Sequence, residues 1–357
     1  MKKIVLFVAI VLFSGSLLSN EKLRQYVDDI GYCKTPEQIE KIVELSMALE
    51  QESLREERNM LKGKNIVAAI CPHDDHMYTA REYIHAIPYI ARAKTVIVFG
   101  IVHLPPRLKL KDKDAENTLI FDNYEEWYAP YSPAKVDIQL RKYIKSKLDK
   151  NFYIVSNTAH SLEHSVEANL AFLKYYNKDV KILPIMVNAM NVNSFEKISD
   201  QLSDILVSYI KENKLKLGKD VTFLMSTDCT HYGLDYGHYP FGLDEEGHKR
   251  GTERDITIGK NCLSDNISNE KIMSFIEKVL SKEINTWCGR FAIPFGLLTV
   301  KKVVKEIDGK GLRGFPTRYS DNYSNGLLPA YNIGIGVTHG FSLKHWVGHW
   351  AIVYSEE

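Results

Sequence analysis

Three strand-like apolar runs in this chain each end in a turn that carries histidine. Asn65 to Cys71 runs into Pro72-His73-Asp74-Asp75-His76, Thr95 to Gly100 into Ile101-Val102-His103, and Val221 to Ser226 into Thr227-Asp228-Cys229-Thr230-His231. Histidine is the commonest metal ligand and a proton carrier near neutral pH, so the pattern points to metal binding or proton transfer. The first turn puts two histidines and two carboxylates directly after a fully apolar strand. That composition has no role in a core, and its place favours a site over plain solvated surface. His73, nearest the strand end, is the ligand candidate, with Asp75 and His76 beside it. A histidine before Pro-Pro, as at His103, is more often structural. Adjacent strands joined by one crossover helix would, however, bring His103 to the same edge as His73. In the third turn Asp228 sits three residues before His231 and could fix its tautomer, making His231 a proton carrier or ligand. The plain alternative is that Asp228 caps the next element.

Two further boxes carry reactive groups. Trp287-Cys288-Gly289-Arg290 leads into an apolar helix. A thiolate at a helix N-terminus is favoured by the dipole, and Arg290 would add to that; a buried structural cysteine is the alternative. His160-Ser161-Leu162-Glu163-His164 matches the inverted zinc-protease motif H-x-x-E-H. On one helix both imidazoles would share a face and hold zinc while Glu163 activates water, which makes a zinc hydrolase the rival reading. The spacing instead predicts a helix beginning near Ser161, with His160 in the loop before it. The rival also leaves His73, His103 and the 228–231 turn without a role.

These boxes need elements that bring them together. Strand patterns fall near 65–71, 95–100, 152–156, 180–187 and 220–226, and helical patterns near 79–92, 134–148, 163–176, 193–213 and 268–281. That alternation predicts an α/β fold: a single large domain with a mostly parallel central sheet and helices on both faces. In such sheets ligands bind at the carboxyl ends of the strands, where the histidine turns lie. Phe291 to Ile307 reads as a further helix, with last strands near 315–319 and 330–338. The divisions are a leader over 1–19, a helical N-terminal extension over 20–64, the α/β domain over 65–340, and a C-terminal tail over 341–357 that could cap an edge.

Forty-six basic and 45 acidic residues leave a net charge of +1, so nothing points to nucleic acid or an acidic membrane surface. Lys2-Lys3 precedes the apolar run Ile4 to Phe13 and the small residues Ser14-Gly15-Ser16. This is the pattern of a bacterial secretory signal, too short for a bilayer span, which needs about 20 residues. The expectation is a periplasmic or secreted protein with no stable membrane span after signal removal; an uncleaved anchor is the alternative. Five cysteines are an odd number, so in an exported protein at least one thiol is free, metal-bound or paired between chains.

Pro72-His73, Gly100-x-x-His103, Glu163-His164-Ser165-Val166-Glu167-x-x-Leu170, Ser226-x-Asp228-x-x-His231-x-Gly233 and Cys288-Gly289-Arg290 occur in order. Together they resemble the MEMO-like family, known in bacteria as protein B of the AmmeMemoRadiSam system and related to class III extradiol ring-cleavage dioxygenases. The resemblance covers about residues 65–340 and implies an extradiol dioxygenase-like domain with a metal pocket. Carried over by residue, it implies His73, His103 and Cys288 as metal ligands, and Asp228 and His231 lining the pocket with His231 as acid/base. Glu163 and His164 would support its wall. Asp75-His76 stands where the family usually has Gly-Tyr, and Phe291 where it usually has histidine. Two imidazoles and a thiolate suit iron or copper, with zinc a further choice. The implied function is a metal-dependent, dioxygenase-like oxidoreductase acting on a small molecule. The alternative is a non-catalytic module that binds iron or copper, or one that docks a protein partner.

Overall fold

The computed structural model describes residues 22–103, 110, 116–281 and 286–357. The leader and the Leu104-Pro105-Pro106 turn lie outside them. The strands among the described residues are β1 (Leu23–Arg24), β2 (Ile66–Cys71), β3 (Thr95–Gly100), β4 (Leu119–Phe121), β5 (Glu126–Trp127), β6 (Ala134–Val136) and β7 (Tyr153–Val155). They continue with β8 (Lys181–Val187), β9 (Val221–Ser226), β10 (His231–Gly233), β11 (Asp265–Asn266), β12 (Leu312–Asp321) and β13 (His345–Glu356).

One sheet runs β1-β5-β6-β8-β3-β9-β2-β13-β12-β11. From β6 to β2 its neighbours are parallel, while β13, β12 and β11 add antiparallel strands beyond β2. Strands β2, β3 and β9 are buried throughout, as their unbroken apolar runs require of parallel strands covered on both faces. Their side chains alternate between two layers. Val67, Ile97, Phe99, Phe223 and Met225 pack against the helices Val192–Glu212 and Ala292–Asp308, whose Leu202 and Val300 lie in the same cluster. Ala69, Val96, Val98 and Leu224 face the helices Pro36–Leu49 and Glu167–Tyr176 through Ile39, Ile42 and Phe172. The single α/β domain with a mostly parallel sheet is as the sequence predicts.

Several boundaries differ for identifiable reasons. The 79–92 helix is two pieces, His76–Tyr83 and Ile87–Ile90, because Pro88 has no N–H to offer the carbonyl four residues earlier and its ring would clash with it, whereas proline fits the first turn of the second piece. The 134–148 segment opens as β6, and its helix starts at Ile138 where the Asp137 carboxylate accepts from the Leu140 N–H. Segment 330–338 forms no strand. The expected tail is instead β13, an interior strand between β2 and β12, and its all-apolar registers Ala351, Ile352 and Val353 are fully buried. Strands β2 and β3 are not neighbours either, since β9 lies between them.

The N-terminal residues are part of the same body. Arg24 is buried, its guanidinium pairs with Glu167 and lies 4.5 Å over the Trp127 ring, and β1 extends the sheet. No described helix is long and apolar enough to cross a membrane.

Candidate metal centre

The order β3-β9-β2 places three strand ends side by side, and the turn after each delivers its histidine to one cavity of about 420 Å³. His73, His103, His164, Asp228, His231, Asp74 and Asp75 line it, with Tyr32, Tyr236, Thr338, His339 and Phe341 around them. Cys288, at the start of a short 3-10 turn before helix Ala292–Asp308, completes the cluster. Its Sγ lies 3.4 Å from His231 Nε2 and 3.7 Å from His103 Nε2. A Cβ on Gly289 would come 2.1 Å from Thr227 Oγ1, so this approach of the two loops needs glycine there.

Hydrogen bonds settle which ring nitrogen faces the cavity. Ser226 Oγ donates to the Ser165 carbonyl, leaving its lone pairs for His73 Nδ1–H at 3.0 Å. His73 Nε2 is then unprotonated, buried and without a hydrogen bond, with Asp228 Oδ2 at 3.2 Å. His103 Nδ1 bonds Glu163 Oε1 at 2.8 Å, and the other Glu163 oxygen accepts the His103 backbone N–H, so His103 Nε2 points at Cys288. His231 Nδ1–H donates to the Cys229 carbonyl at 3.1 Å, again freeing Nε2. A ring nitrogen anchored by a carbonyl or carboxylate while the other faces the ligand position is the arrangement that metal-binding histidines use.

Charge follows burial and proximity. Burial pulls His73 well below the usual histidine value, and His103 and His164 beside it add to that. His164 is lowered to about 4, by burial first and then His103. Burial alone would lower His103, but the Glu163 carboxylate and Cys288 outweigh it and push it up to about 10. Glu163, which burial would raise, is held well below the carboxylate range chiefly by His103. Asp75, buried near Asp74, is raised to about 7 although the Thr338 N–H and hydroxyl donate to it.

Two sets of three could hold a metal, each with its ligand atoms within 4.8 Å of one another: His73-His103-His164 and His73-Asp228-Cys288. Both share His73. The implied ligands His73, His103 and Cys288 thus fall in one cluster, with His103 from one set and Cys288 from the other. His164, read as wall support, offers a ligand atom of its own.

Other expectations change. Asp228 does not orient His231; its Oδ1 accepts the His73 N–H at 2.9 Å, and the Cys229 carbonyl holds His231. The Cys288 thiol is pushed up rather than down, because burial outweighs the nearby His103 and Arg290. Arg290 turns back to the Trp287 carbonyl, and its guanidinium lies 5.2 Å from the Phe291 ring. His76 supports the site from behind, accepting from Cys33 N–H and donating to the Ala168 carbonyl. The H-x-x-E-H face does not form. Helix Asn157–Ser161 ends before Glu163, and His160 Nε2 is spent on the Ile120 carbonyl. All five cysteines are free thiols.

Residues outside the motifs also build the pocket. Arg24 donates to the His160 and Glu163 carbonyls, fixing the loop that holds Glu163 against His103. His349 on β13 lies 3.3 Å from Asp74 and 3.9 Å from Asp228. Neither carries a local signal, because each reaches the site only through sheet topology.

An α/β sheet whose parallel strand ends gather histidines and carboxylates around one cavity, with a thiol beside them, defines a class of domain with residue groups that could hold a metal. The chain belongs to the Memo-like protein family, whose model matches residues 30–313. The kinship of that family with class III extradiol dioxygenases is consistent with the fold. A MEMO1 family protein of Methanosarcina barkeri is 28% identical over 202 residues, 56% of this chain and 64% of that protein. One from Pyrococcus furiosus is 29% identical over 253 residues, covering 67% and 76%. The chain thus spans slightly less than two thirds of the Methanosarcina barkeri relative's length.

Proposed function

We propose that this protein binds a transition metal through His73, His103 and Cys288, and acts as a metal-dependent, dioxygenase-like oxidoreductase on a small molecule. The observation that supports the reading is His73 Nε2: unprotonated, buried, without a hydrogen bond, and beside a cavity that His103 also lines, with Cys288 Sγ 3.7 Å from His103 Nε2 and in one candidate ligand set with His73. Imidazole and thiolate donors suit iron or copper, with zinc as a further choice. Such a metal would supply Lewis acidity and, if iron or copper, electron transfer. The chain's own contribution is to orient His103 through Glu163 and to present His231 Nε2 for proton transfer. Asp75 and Asp228 set the polarity of the cavity.

Metal analysis of purified protein tests this, with His73→Ala and Cys288→Ser beside the wild type. Both variants should lose bound metal, and unchanged content in both would overturn the proposal. The His73-His103-His164 set supports a second ligand assignment. There, His164→Ala loses metal while Cys288→Ser retains it. Oxygen consumption with catechols and other small phenols separates an enzyme from a metal-binding or docking module. No consumption by iron-loaded protein across a broad panel would favour the latter. Export remains part of the proposal on the strength of Lys2-Lys3 and Ile4 to Phe13. The N-terminal residue of protein recovered from the cell envelope tests it.

A further inference from the structure

We propose that Asp255 is a positioning residue that sets the spacing between Cys288 and His231, an inference that rests on the thiolate-ligand reading above. Asp255 lies on helix Glu245–Cys262, outside every motif, and its side chain is fully buried. Four donors from three segments converge on its carboxylate. Oδ1 accepts from Thr230 Oγ1 at 2.6 Å and from Trp287 Nε1 at 2.9 Å. Oδ2 accepts from the Thr230 backbone N–H at 3.2 Å and from the Tyr319 hydroxyl at 3.1 Å.

Thr230 immediately precedes His231, and Trp287 immediately precedes Cys288. One rigid carboxylate therefore holds both loops one residue upstream of the groups that meet 3.4 Å apart. Its own position is fixed in turn. Trp350 Nε1 donates to the Asp255 carbonyl, and a Cβ on Gly348 would come within 2.6 Å of Oδ2. Trp287 is fully buried and packs edge-on to Phe275, with ring centroids 5.5 Å apart, so the indole cannot swing away from its acceptor. The loops also touch directly, through Cys288 N–H to the Asp228 carbonyl and Gly289 N–H to Thr227 Oγ1. Backbone bonds also tie the 227–231 turn to β2 and β13, from Thr227 N–H to the Cys71 carbonyl, Cys229 N–H to the Gly348 carbonyl and Gly348 N–H to the Thr230 carbonyl; Asp255 joins that anchored turn and the Trp287 loop through one side chain. Burying a carboxylate is costly unless such donors meet it. Here the donors come mainly from the two loops that carry the site.

Cobalt(II) titration of the full-length protein tests this, reading both the dissociation constant and the thiolate-to-cobalt charge-transfer band. Asp255→Asn places an amide N–H₂ where an acceptor is needed, and affinity should fall by roughly 10- to 100-fold with a weakened band, as for other groups that orient metal ligands. Trp287→Phe and Thr230→Val each remove one side-chain donor from a site loop and should weaken binding by about tenfold. They keep the test decisive if Asp255→Asn does not fold. Tyr319→Phe removes a donor from the same carboxylate without touching either site loop. It should lower the melting temperature yet leave cobalt affinity near wild type. Wild-type affinity and band in the Asp255, Trp287 and Thr230 variants would overturn the proposal. So would an equal loss in Tyr319→Phe, which would make Asp255 a fold-stabilising group only. Failure of the underlying reading looks different: Cys288→Ser would itself bind cobalt as the wild type does and show the same band.

Discussion

His231 presents Nε2 to the cavity because its Nδ1–H is committed to the Cys229 carbonyl, the same logic frees Nε2 of His73, and the anchoring of His103 Nδ1 on Glu163 turns its Nε2 toward Cys288. At this scale the expected division of labour is sharp. In an oxygen-consumption assay with a substrate that turns over, His231→Gln should retain metal and lose roughly 10² to 10⁴ in turnover, the usual worth of general acid–base assistance. Loss of metal instead would move His231 into the ligand set. His73, His103, Asp228, His231 and Cys288 were all legible in the sequence, since each follows a strand end or precedes a helix within a short polar box. Their hydrogen-bond partners were not. Asp228 bonds the residue 155 positions away rather than the one three positions on, a choice made by the β2-β9 pairing.

The site is held by elements that the family match from residue 30 does not include. Arg24 forms a fully buried ion pair with Glu167, and Glu167 also accepts from the Val27 and Asp28 N–H groups. Burial lowers the guanidinium to about 10 but leaves it charged at neutral pH. Arg24→Ala would therefore strand a buried carboxylate, at a cost of about 3–5 kcal/mol in stability by denaturant unfolding. Arg24→Ala/Glu167→Gln should recover part of that loss, and no recovery would show that the guanidinium acts mainly through the His160 and Glu163 carbonyls. Residues 20–64 read as a charge-rich extension because charge is common in solvated helices. The helices Pro36–Leu49 and Gln51–Met60 do form, yet the preceding segment packs against the site, where Tyr32 donates to the His73 carbonyl.

Across the whole molecule, a buried ionic network fastens the N-terminal helices to the far side of the sheet. Glu50, Glu57, Glu82 and His85 are buried, with Arg81 and Arg318 among them. Burial would lower His85, but Glu50 and Glu57 raise it above 6.5. Burial would raise Glu50, but His85, Arg318, Ser53 and Arg81 hold it down to about 2. A raised histidine stabilises fully below its unfolded value and loses that contribution as pH rises through its folded value. A depressed carboxylate stabilises above its unfolded value near 4.5 and loses its contribution as pH falls toward 2. Thermal stability should therefore be greatest between about 4.5 and 6.5 as far as this network is concerned. His85→Gln should cost about 1–3 kcal/mol at pH 6 and flatten the alkaline decline, read from melting temperatures across pH. An unchanged alkaline slope would assign that decline to other groups.

The sequence by itself determined the α/β class, the buried parallel strands and the boxes that carry chemistry, because hydrophobic period and turn composition are local properties. Only the tertiary structure decided which strands are neighbours. It put β9 between β2 and β3 and drew β13 from the chain's end into the sheet. It also brought Arg24, Asp255 and His349, from segments with no motif, against the loops and side chains that form the pocket. Strand order and the pairing of buried polar groups are set by contacts between residues tens to hundreds of positions apart. Each buried donor or acceptor must find a partner somewhere in the packed core, and no local pattern says where.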